Sequence, residues 1–315
     1  MTTEPKKTVT YRKAKYDQDF IKRSKGEKVF NVCNIIFMAI LLIFLLYPIL
    51  NVVSISLSNE TQVMAANVTF YPIGFNPQAY TTIFKDNELW RSIGNSFFVA
   101  FGGCALSLVA LCVAAYPLAF ADFYGKKLYT LIIMFTMWFQ GGIVPMFLTM
   151  QRLGLYDNLW ALILNGLISA YNVVIIRSYF ASIPYSVIES ARIDGANDFR
   201  ILFQLVIPLS KPVLATVALW VIVGHWNDYM NPLVLVSSTE NKTLQLELKS
   251  LVLAAESSTS NLSTLSQSAN SKGVSALTTQ IKNAVLVVSM VPMIAIYPFI
   301  QRFFVSGVML GSVKG

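Results

Sequence analysis

The sequence predicts an all-α polytopic membrane protein with six transmembrane helices. Of its 315 residues, 55% are hydrophobic and only 13% are charged, whereas a soluble domain carries about 25% charged residues. The mean hydropathy of the chain is +0.58. Apolar runs of about 20 residues, the length that crosses a bilayer, recur along the sequence. The first 28 residues are polar and basic, so no cleavable signal peptide is predicted.

Six apolar runs are the predicted spans. They occupy residues 29–50, 93–120, 128–150, 159–180, 212–235 and 284–304. Pro48 is predicted to kink the outer end of the first span. The second span carries small residues, among them Gly102 and Gly103, which favour close packing of membrane helices. The third span is interrupted by the glycines of 140–142 and by Pro145.

The distribution of Lys and Arg predicts that both termini are cytoplasmic. The tail formed by residues 1–28 holds nine basic residues against four acids, and such a tail can contact anionic membrane lipid. In total, 17 of the 24 basic residues fall on the side of the termini. The net charge of +8 therefore follows the positive-inside bias. No nucleic-acid partner is predicted, because the basic residues are not gathered on a groove-reading module.

Two longer segments connect the spans on the outer side, at residues 59–90 and 237–280. The second is rich in Ser, Thr and Asn and exceeds the usual length of a connection, which indicates either function or disorder. Within it, residues 244–255 are predicted to begin a helix and residues 257–271 to be disordered.

A polar segment at residues 183–208 lies between the fourth and fifth spans and predicts a helix–turn–helix at the membrane face. Pro184 suits a helix start, and Glu189 lies near that end, where a negative charge is favourable. Gly195 permits a turn, and Pro208 is predicted to end the second helix. On pattern alone, an ordinary cytosolic connector remains open.

The segment resembles the E-A-A-x-x-x-G-x(9)-I-x-L-P loop of ABC-importer permeases. The matching residues are Glu189-Ser190-Ala191, Gly195 and Leu205-x-Ile207-Pro208, with Ser190 in place of the first Ala and the last Ile and Leu exchanged. Asp194-Gly195-Ala196 is similar to the D-G-A form of the carbohydrate-uptake, MalG-like branch. The resemblance implies the type I ABC-importer permease fold, with this loop as the coupling helix that docks on an ATPase subunit.

The same resemblance implies a set of coupling residues and partners. The coupling residues are Glu189, Ser190, Ala191, Asp194, Gly195, Ala196 and Pro208. The expected partners are a second related permease subunit, two cytosolic ABC ATPase subunits and an extracytoplasmic solute-binding protein that delivers a sugar. The sequence contains no Gly-rich nucleotide loop. ATP and Mg are therefore expected in the partner ATPase, with no cofactor or enzymatic activity in this chain, and the bacterial inner membrane is the expected location.

Polar residues within the fifth span are the first candidates for the substrate pathway: His225, Trp226, Asn227 and Asp228. Ionisable residues at membrane depth usually face a cavity or a polar partner. Asn227 and Asp228 therefore either hold neighbouring helices together or line the pathway, and both interpretations are open. The run resembles the W-N-x-[FY] element near the pore of carbohydrate permeases. Asp and Asn suit sugar hydroxyls, and Trp suits the apolar face of a sugar ring.

Trp138 and Gln140, in the third span, are the second candidates for the pathway, with helix packing as the favoured alternative. The spacing of Gly141, Gly142 and Pro145 resembles a branch of sugar permeases associated with plant and acidic oligosaccharides. The C-terminal Lys314-Gly315 resembles the same branch.

The predicted function is that of a permease subunit that imports sugars or oligosaccharides by alternating access. Two other classes stay open: a membrane scaffold that docks a soluble partner without transport, and an ABC importer for a non-sugar solute. A membrane enzyme that uses His225 and Asp228 lacks a second catalytic cluster in the sequence. One histidine and three scattered cysteines, at Cys33, Cys104 and Cys112, predict neither a metal site nor a disulfide framework.

Overall fold

The computed structural model describes residues 25–251, 253, 279–296 and 298, which contain helices and no β-strand. The chain divides into two compact units, Met1–Leu50 and Asn51–Gly315. Most of the predicted basic tail, the predicted disordered stretch 257–271 and the C-terminal Lys314-Gly315 lie outside the described residues.

Helix α1 (Lys25–Ser56) is longer at both ends than the predicted first span and continues through Pro48. Two short helices follow, α2 (Glu60–Met64) and α3 (Gln78–Lys85), so the predicted outer segment 59–90 is partly helical. Side-chain contacts fold this segment back on the end of α1. The Tyr80 hydroxyl lies 2.9 Å from Ser56 Oγ, and the Ile73 N–H donates to Ser58 Oγ at 3.1 Å.

The second predicted span is a continuous apolar helix from Asn87 to Phe120. It consists of α4 (Asn87–Phe97), one π-helical turn (Phe98–Gly102) and α5 (Gly103–Phe120). The helix begins six residues before the predicted position because Asp86 caps it. The Asp86 carboxylate accepts hydrogen bonds from the N–H groups of Glu88 and Leu89 and satisfies two donors that a helix start leaves free.

The third and fourth predicted spans are both broken. The break in the third span lies at the predicted interruption, residues 140–142, whereas the break within 159–180 was not predicted. Helix α6 (Lys126–Trp138) and helix α7 (Ile143–Arg152) meet at an angle of 112°. Helix α8 (Leu159–Leu164) is separated from α9 (Ala170–Phe180). The breaks contain Gly142 and Gly166, whose φ angles of +85° and +83° are incompatible with a right-handed helix.

The polar segment folds into α10 (Tyr185–Ile193), α11 (Asp198–Ile201), a π-helical turn (Leu202–Val206) and α12 (Ile207–Leu209). The helix–turn–helix prediction is confirmed. The predicted stop at Pro208 is wrong, because the helix continues to Leu209. It ends one residue later, at Ser210, where the chain bends by 84° into the next helix.

Helix α13 (Lys211–Asn227) forms the predicted fifth span only as far as Asn227. The chain breaks at Asp228 and Tyr229 and resumes as α14 (Met230–Leu235). The predicted fifth span, 212–235, therefore contains two helices separated by Asp228 and Tyr229. The spacing of three residues would place His225 and Asp228 on one face of a continuous helix, but Asp228 is the helix cap and has an extended ψ of 119°.

Two helices follow in the last third of the chain. Helix α15 covers residues 244–251 and confirms the predicted helical start in the outer loop. Helix α16 (Thr279–Ile296) begins five residues before the predicted sixth span, and residue 304, its predicted end, lies outside the described residues. Within the described residues, three helices are long and apolar enough to cross a membrane, or five if each bent pair is one span. The count of six stays a prediction.

Helix α5 lies at the centre of the second unit and packs against α9 and α13. The small residues in this helix allow close approach, as predicted. A Cβ atom added to Gly103 would lie 3.0 Å from His225 Nε2, a tight contact that would force the imidazole to shift. Glycine therefore allows His225 of α13 to approach α5 closely.

Candidate functional site

The turn between α10 and α11 is a Schellman motif centred on Gly195. The Ala196 N–H donates to the Ala191 carbonyl and the Gly195 N–H donates to the Arg192 carbonyl, each at 3.0 Å. These bonds satisfy the last carbonyls of α10. Gly195 has φ +81°, and no atom lies within 4 Å of the position that a methyl group would take there. Backbone conformation rather than lack of space therefore requires glycine here.

The outer face of this loop is a free surface that carries four of the predicted coupling residues: Glu189, Ser190, Asp194 and Gly195. Two large apolar side chains stand beside them, because Ile193 is 81% exposed and Phe199 is 70% exposed. Exposed apolar groups rimmed by charges are typical of a protein–protein contact. We call this face, residues 189–199, the coupling surface, after the role that the sequence predicts for it.

The predicted small residues divide between two faces of the loop. Ala191 and Ala196 are half-buried and pack against the hydrophobic core beneath the loop, so their small size lets the loop approach the other helices. Ser190 and Gly195 are exposed. Pro208 is also exposed, but it lies in α12 and outside the coupling surface.

The inner face of the loop is anchored in the core of the second unit. Ile188, Ile201 and Val206 are each at most 1% exposed. They belong to one cluster with side chains from α5, α9 and α13, including Leu111, Phe180 and Val217. Burying a side chain of this size contributes about 1.5–3 kcal/mol. The inner face of the loop is therefore packed firmly onto α5, α9 and α13.

A polar contact adds to this anchoring. The Tyr116 hydroxyl on α5 donates to Asp198 Oδ1 at 2.9 Å, and Arg192 Nη2 donates to the same oxygen at 3.1 Å. The hydrogen bond from Tyr116, followed by that from Arg192, lowers the pKa of the Asp198 carboxyl. Arg192 Nη1 also donates to the Tyr185 hydroxyl at 3.3 Å. The role of Tyr116 was not predicted, because a tyrosine within an apolar run gives no local signal of a distant partner.

Asp228 lies in a hydrogen-bonded chain that joins two helix breaks. Its Oδ2 accepts from Asn231 Nδ2 at 2.6 Å, and its Oδ1 accepts from the Asn231 N–H at 3.2 Å. Asn165, at the break between α8 and α9, donates from Nδ2 to Asn231 Oδ1 at 3.0 Å. Of the two interpretations of Asp228, this arrangement supports the one in which it holds helices together. Sequence reasoning missed Asn165 and Asn231.

The three residues that precede Asp228 in the sequence lie in different environments. Trp226 is 1% exposed, donates from Nε1 to the Ser289 carbonyl at 3.3 Å, and meets the Phe97 ring edge-on at 5.1 Å between centroids. It therefore offers no ring face to a sugar, and its position favours packing over the predicted pathway role. His225 lies against Gly103. Asn227 is exposed, and its Nδ2 donates to the Val223 carbonyl at 3.0 Å.

Gln140 lines a cavity of about 440 Å³ between the break that follows α6 and the break that precedes α9. The cavity lining also includes Thr136, Ser169 and Tyr171, which supply hydroxyl groups to a space large enough for a small-molecule ligand. Trp138 is 81% exposed and is not among the lining residues. The structure therefore separates the two predicted pathway residues of the third span.

Asp157 connects two segments that are about 80 residues apart in the chain. Its Oδ1 accepts hydrogen bonds from the Ser237 N–H, the Ser238 N–H and the Ser238 hydroxyl, each at 3.0 Å. The bond from the Ser238 N–H is the main cause of a lowered pKa of this carboxyl. The residue has φ +57°, a conformation that Asp and Asn tolerate better than most residues. The start of the long outer loop is thus fixed to the connection between α7 and α8.

The described residues contain no group of three or more His, Cys, Asp and Glu side chains that could hold a metal ion. Cys104 and Cys112 are buried and Cys33 is exposed, and none of the three forms a disulfide within the described residues.

The chain matches one known protein family and is similar to several curated proteins. The family model described as "Binding-protein-dependent transport system inner membrane component" matches residues 96–310. Among curated relatives, the polygalacturonan/rhamnogalacturonan transport system permease protein YtcP of Bacillus subtilis (strain 168) is 36% identical over 85% of this chain and 92% of its own length. Protein LplC of the same organism is 34% identical over 93% of this chain and 97% of its own length.

A solved structure is similar over most of the chain. It is a chain of a bacterial ABC transporter involved in the import of the acidic polysaccharide alginate, with a TM-score of 0.80 and 33% sequence identity. The match covers 90% of this chain and 99% of the other.

Proposed function

This chain belongs to the family of binding-protein-dependent transport system inner membrane components, and from that premise we propose that it is the transmembrane permease subunit of an ABC importer for oligosaccharides. The main support for this proposal is the loop at 183–208, which has one buried face and one exposed face. One face is buried among α5, α9 and α13, and the other presents exposed charges and apolar groups. A segment built in this way can transmit movement of a soluble partner to membrane helices.

The proposed complex combines this chain with further membrane and cytosolic subunits and with an external delivery protein. A second, related permease subunit completes the translocation path, and two cytosolic ATPase subunits bind ATP and Mg. An extracytoplasmic solute-binding protein presents the sugar. In this arrangement the chain itself performs no ATP hydrolysis, and both of its termini are cytoplasmic.

The proposed mechanism is alternating access driven through the coupling surface. Closure of the ATPase dimer moves the docked coupling surface, which includes Ile193 and Phe199. Because Ile188, Ile201 and Val206 are buried among the membrane helices, those helices move with the loop. The cavity that they enclose then changes its opening from one side of the membrane to the other.

The proposed substrate class is an acidic oligosaccharide. Support comes from two similar proteins, because YtcP belongs to a polygalacturonan/rhamnogalacturonan transport system and the similar solved transporter is involved in the import of alginate. In this chain the cavity at Gln140 offers amide and hydroxyl groups that suit sugar hydroxyls.

The test is ATPase activity of the reconstituted complex with its binding protein, against a panel of neutral and acidic oligosaccharides. Stimulation by acidic oligosaccharides alone is the expected result. Stimulation by neutral sugars alone would contradict the proposed substrate class but leave the importer standing. If a stable complex responds to no sugar, the solute is not a carbohydrate. If no ATPase subunit binds at all, the assignment of residues 183–208 as the coupling loop fails.

A further inference from the structure

A groove of about 350 Å³ lies between the start of α6 and the end of α9. Its lining consists of Lys126, Lys127, Thr130, Leu131, Met134 and Arg177. Three of these six residues are cationic and none is acidic, so the groove carries excess positive charge. None of these residues belongs to the coupling surface or lines the cavity at Gln140.

Two of the three cations are held in place by the end of α5. Lys126 Nζ donates to the Ala121 carbonyl at 2.8 Å, and Arg177 Nε donates to the Leu118 carbonyl at 3.1 Å. Carbonyls at the end of a helix attract positive charge. The terminal amino groups of Arg177 make no hydrogen bond to the described residues and are available to another partner. Lys127 makes no hydrogen bond or ion pair within the part of the chain that the structure describes.

The groove changes from polar to apolar along α6. The charged residues lie at the start of the helix, and Leu131 and Met134, which are 64% and 43% exposed, lie one to two turns further on. Two exposed tyrosines, Tyr124 and Tyr129, mark the charged end. Tyrosine is enriched where a membrane protein passes the headgroup layer. The charged end therefore matches the depth of lipid phosphates, and the apolar end matches the depth of acyl chains.

We propose that this groove is a binding site for one anionic phospholipid on the cytoplasmic side of the membrane. The lipid phosphate lies between Lys127 and the free amino groups of Arg177, and an acyl chain follows Leu131 and Met134. Lysine side chains extend from apolar surroundings to reach such a phosphate. The inference goes beyond the proposed function, because it does not depend on which solute is transported.

The test is native mass spectrometry of the detergent-purified complex titrated with phosphatidylglycerol or, in parallel, phosphatidylcholine. The wild type should retain phosphatidylglycerol in preference to phosphatidylcholine. Lys127→Gln should weaken phosphatidylglycerol binding about five-fold, since one basic residue at a membrane surface contributes about that factor. Leu131→Trp should also reduce retention by filling the groove, although every charge remains.

Lys211→Gln is the matched control, because Lys211 is an exposed basic residue on the same predicted side and does not line the groove. Its binding should equal that of the wild type. Equal retention of the two lipids by the wild type would overturn the proposal, as would unchanged binding in both groove variants. A cross-link from a cysteine introduced at Leu131 to the second permease subunit would also overturn it, by showing that protein covers the groove.

Discussion

The hydroxyl of Tyr116, within membrane helix α5, donates a hydrogen bond of 2.9 Å to the carboxylate of Asp198, at the start of α11. This contact links the loop at 183–208 directly to the central helix of the second unit. Arg192, on α10, shares the same carboxylate oxygen. Three elements of the proposed transmission path therefore meet at one atom.

Tyr116→Phe should loosen this link without dismantling the loop. The substitution removes the hydrogen bond but keeps the ring, which packs in the core, and Asp198 retains Arg192. A hydrogen bond to a charged group contributes about 1.5–3 kcal/mol when buried, and the exposure of Asp198 reduces this to about 1 kcal/mol. We expect fewer solute molecules transported per ATP hydrolysed, measured in proteoliposomes.

Tyr124→Phe is the control for Tyr116→Phe, because Tyr124 is fully exposed and makes no side-chain hydrogen bond among the described residues. Equal coupling ratios for wild type and Tyr116→Phe would show that the contact does not take part in transmission.

Gly195→Ala should weaken docking of the ATPase subunit. Alanine has room for its methyl group, but it must adopt φ +81°, which costs about 1–2 kcal/mol. Gly195→Asn should have a milder effect on docking, because asparagine tolerates this conformation.

Gly195→Asp and Glu189→Lys change the charge of the coupling surface and should uncouple hydrolysis from uptake. The measurements are co-purification of the ATPase and coupled uptake.

Gly94→Ala provides a matched control for the glycine series. Gly94 lies in helix α4 with no atom within 4 Å of a methyl position and no positive φ, so alanine should be neutral or slightly stabilising there. Normal coupled transport in Gly195→Asp and Glu189→Lys would refute the assignment of the coupling surface.

Asp228→Ala should lower the thermal stability of the membrane region. The substitution leaves Asn231 without its carboxylate partner and weakens the connection to Asn165. A double-mutant cycle of Asp228→Ala and Asn231→Ala should give a coupling free energy of about 0.5–2 kcal/mol, from thermal unfolding in detergent.

Gln140→Ala is the contrasting variant, because its side chain makes no hydrogen bond to the rest of the described chain and lines the cavity. It should reduce uptake at unchanged unfolding temperature. If Asp228→Ala instead impairs uptake at full stability, Asp228 is a pathway residue and the structural interpretation fails.

Asp157 should contribute stability that depends on pH. Hydrogen bonds, first of all from the Ser238 N–H, lower the pKa of this carboxyl in the folded state. The contribution is therefore fully present above the ordinary Asp pKa of about 4 and is lost as the pH falls through the lower folded-state value. Wild type should unfold at a higher temperature than Asp157→Asn at pH 7, and the two midpoints should converge below pH about 4. A constant difference across this range would contradict the prediction.

The sequence predicted those parts of the fold that depend on local patterns. Long apolar runs located the membrane helices, and the spacing of Glu189, Gly195 and Pro208 located the loop. Helix breaks were harder to predict, because one glycine in an apolar run, such as Gly166, is compatible with both a helix and a break. The break at Gly142 was visible as an interruption, but its angle of 112° was not.

Contacts between distant residues could not be predicted in this way. Asn165 and Asn231 are 66 residues apart in the chain, and nothing near either residue indicates the other. Trp226 shows that a local sequence pattern can also suggest an environment that distant residues then change. Its neighbours resemble a pore element, but Phe97 and Ser289, which surround it, come from distant helices.

The helical segment Asp198–Leu209 and helix α13 meet at Ser210 at an angle of 84°. The two segments therefore resemble the short and long arms of a lever with Ser210 as the pivot. Ser210 is fully buried, and its hydroxyl makes no hydrogen bond within the described part of the chain. At 1.5 Å per residue, the 17 residues of α13 extend about 25 Å from this pivot. A rotation of about 10° there would displace the far end of α13 by about 4 Å. A small rotation at Ser210 would thus become a much larger displacement of Asn227, at the far end of α13.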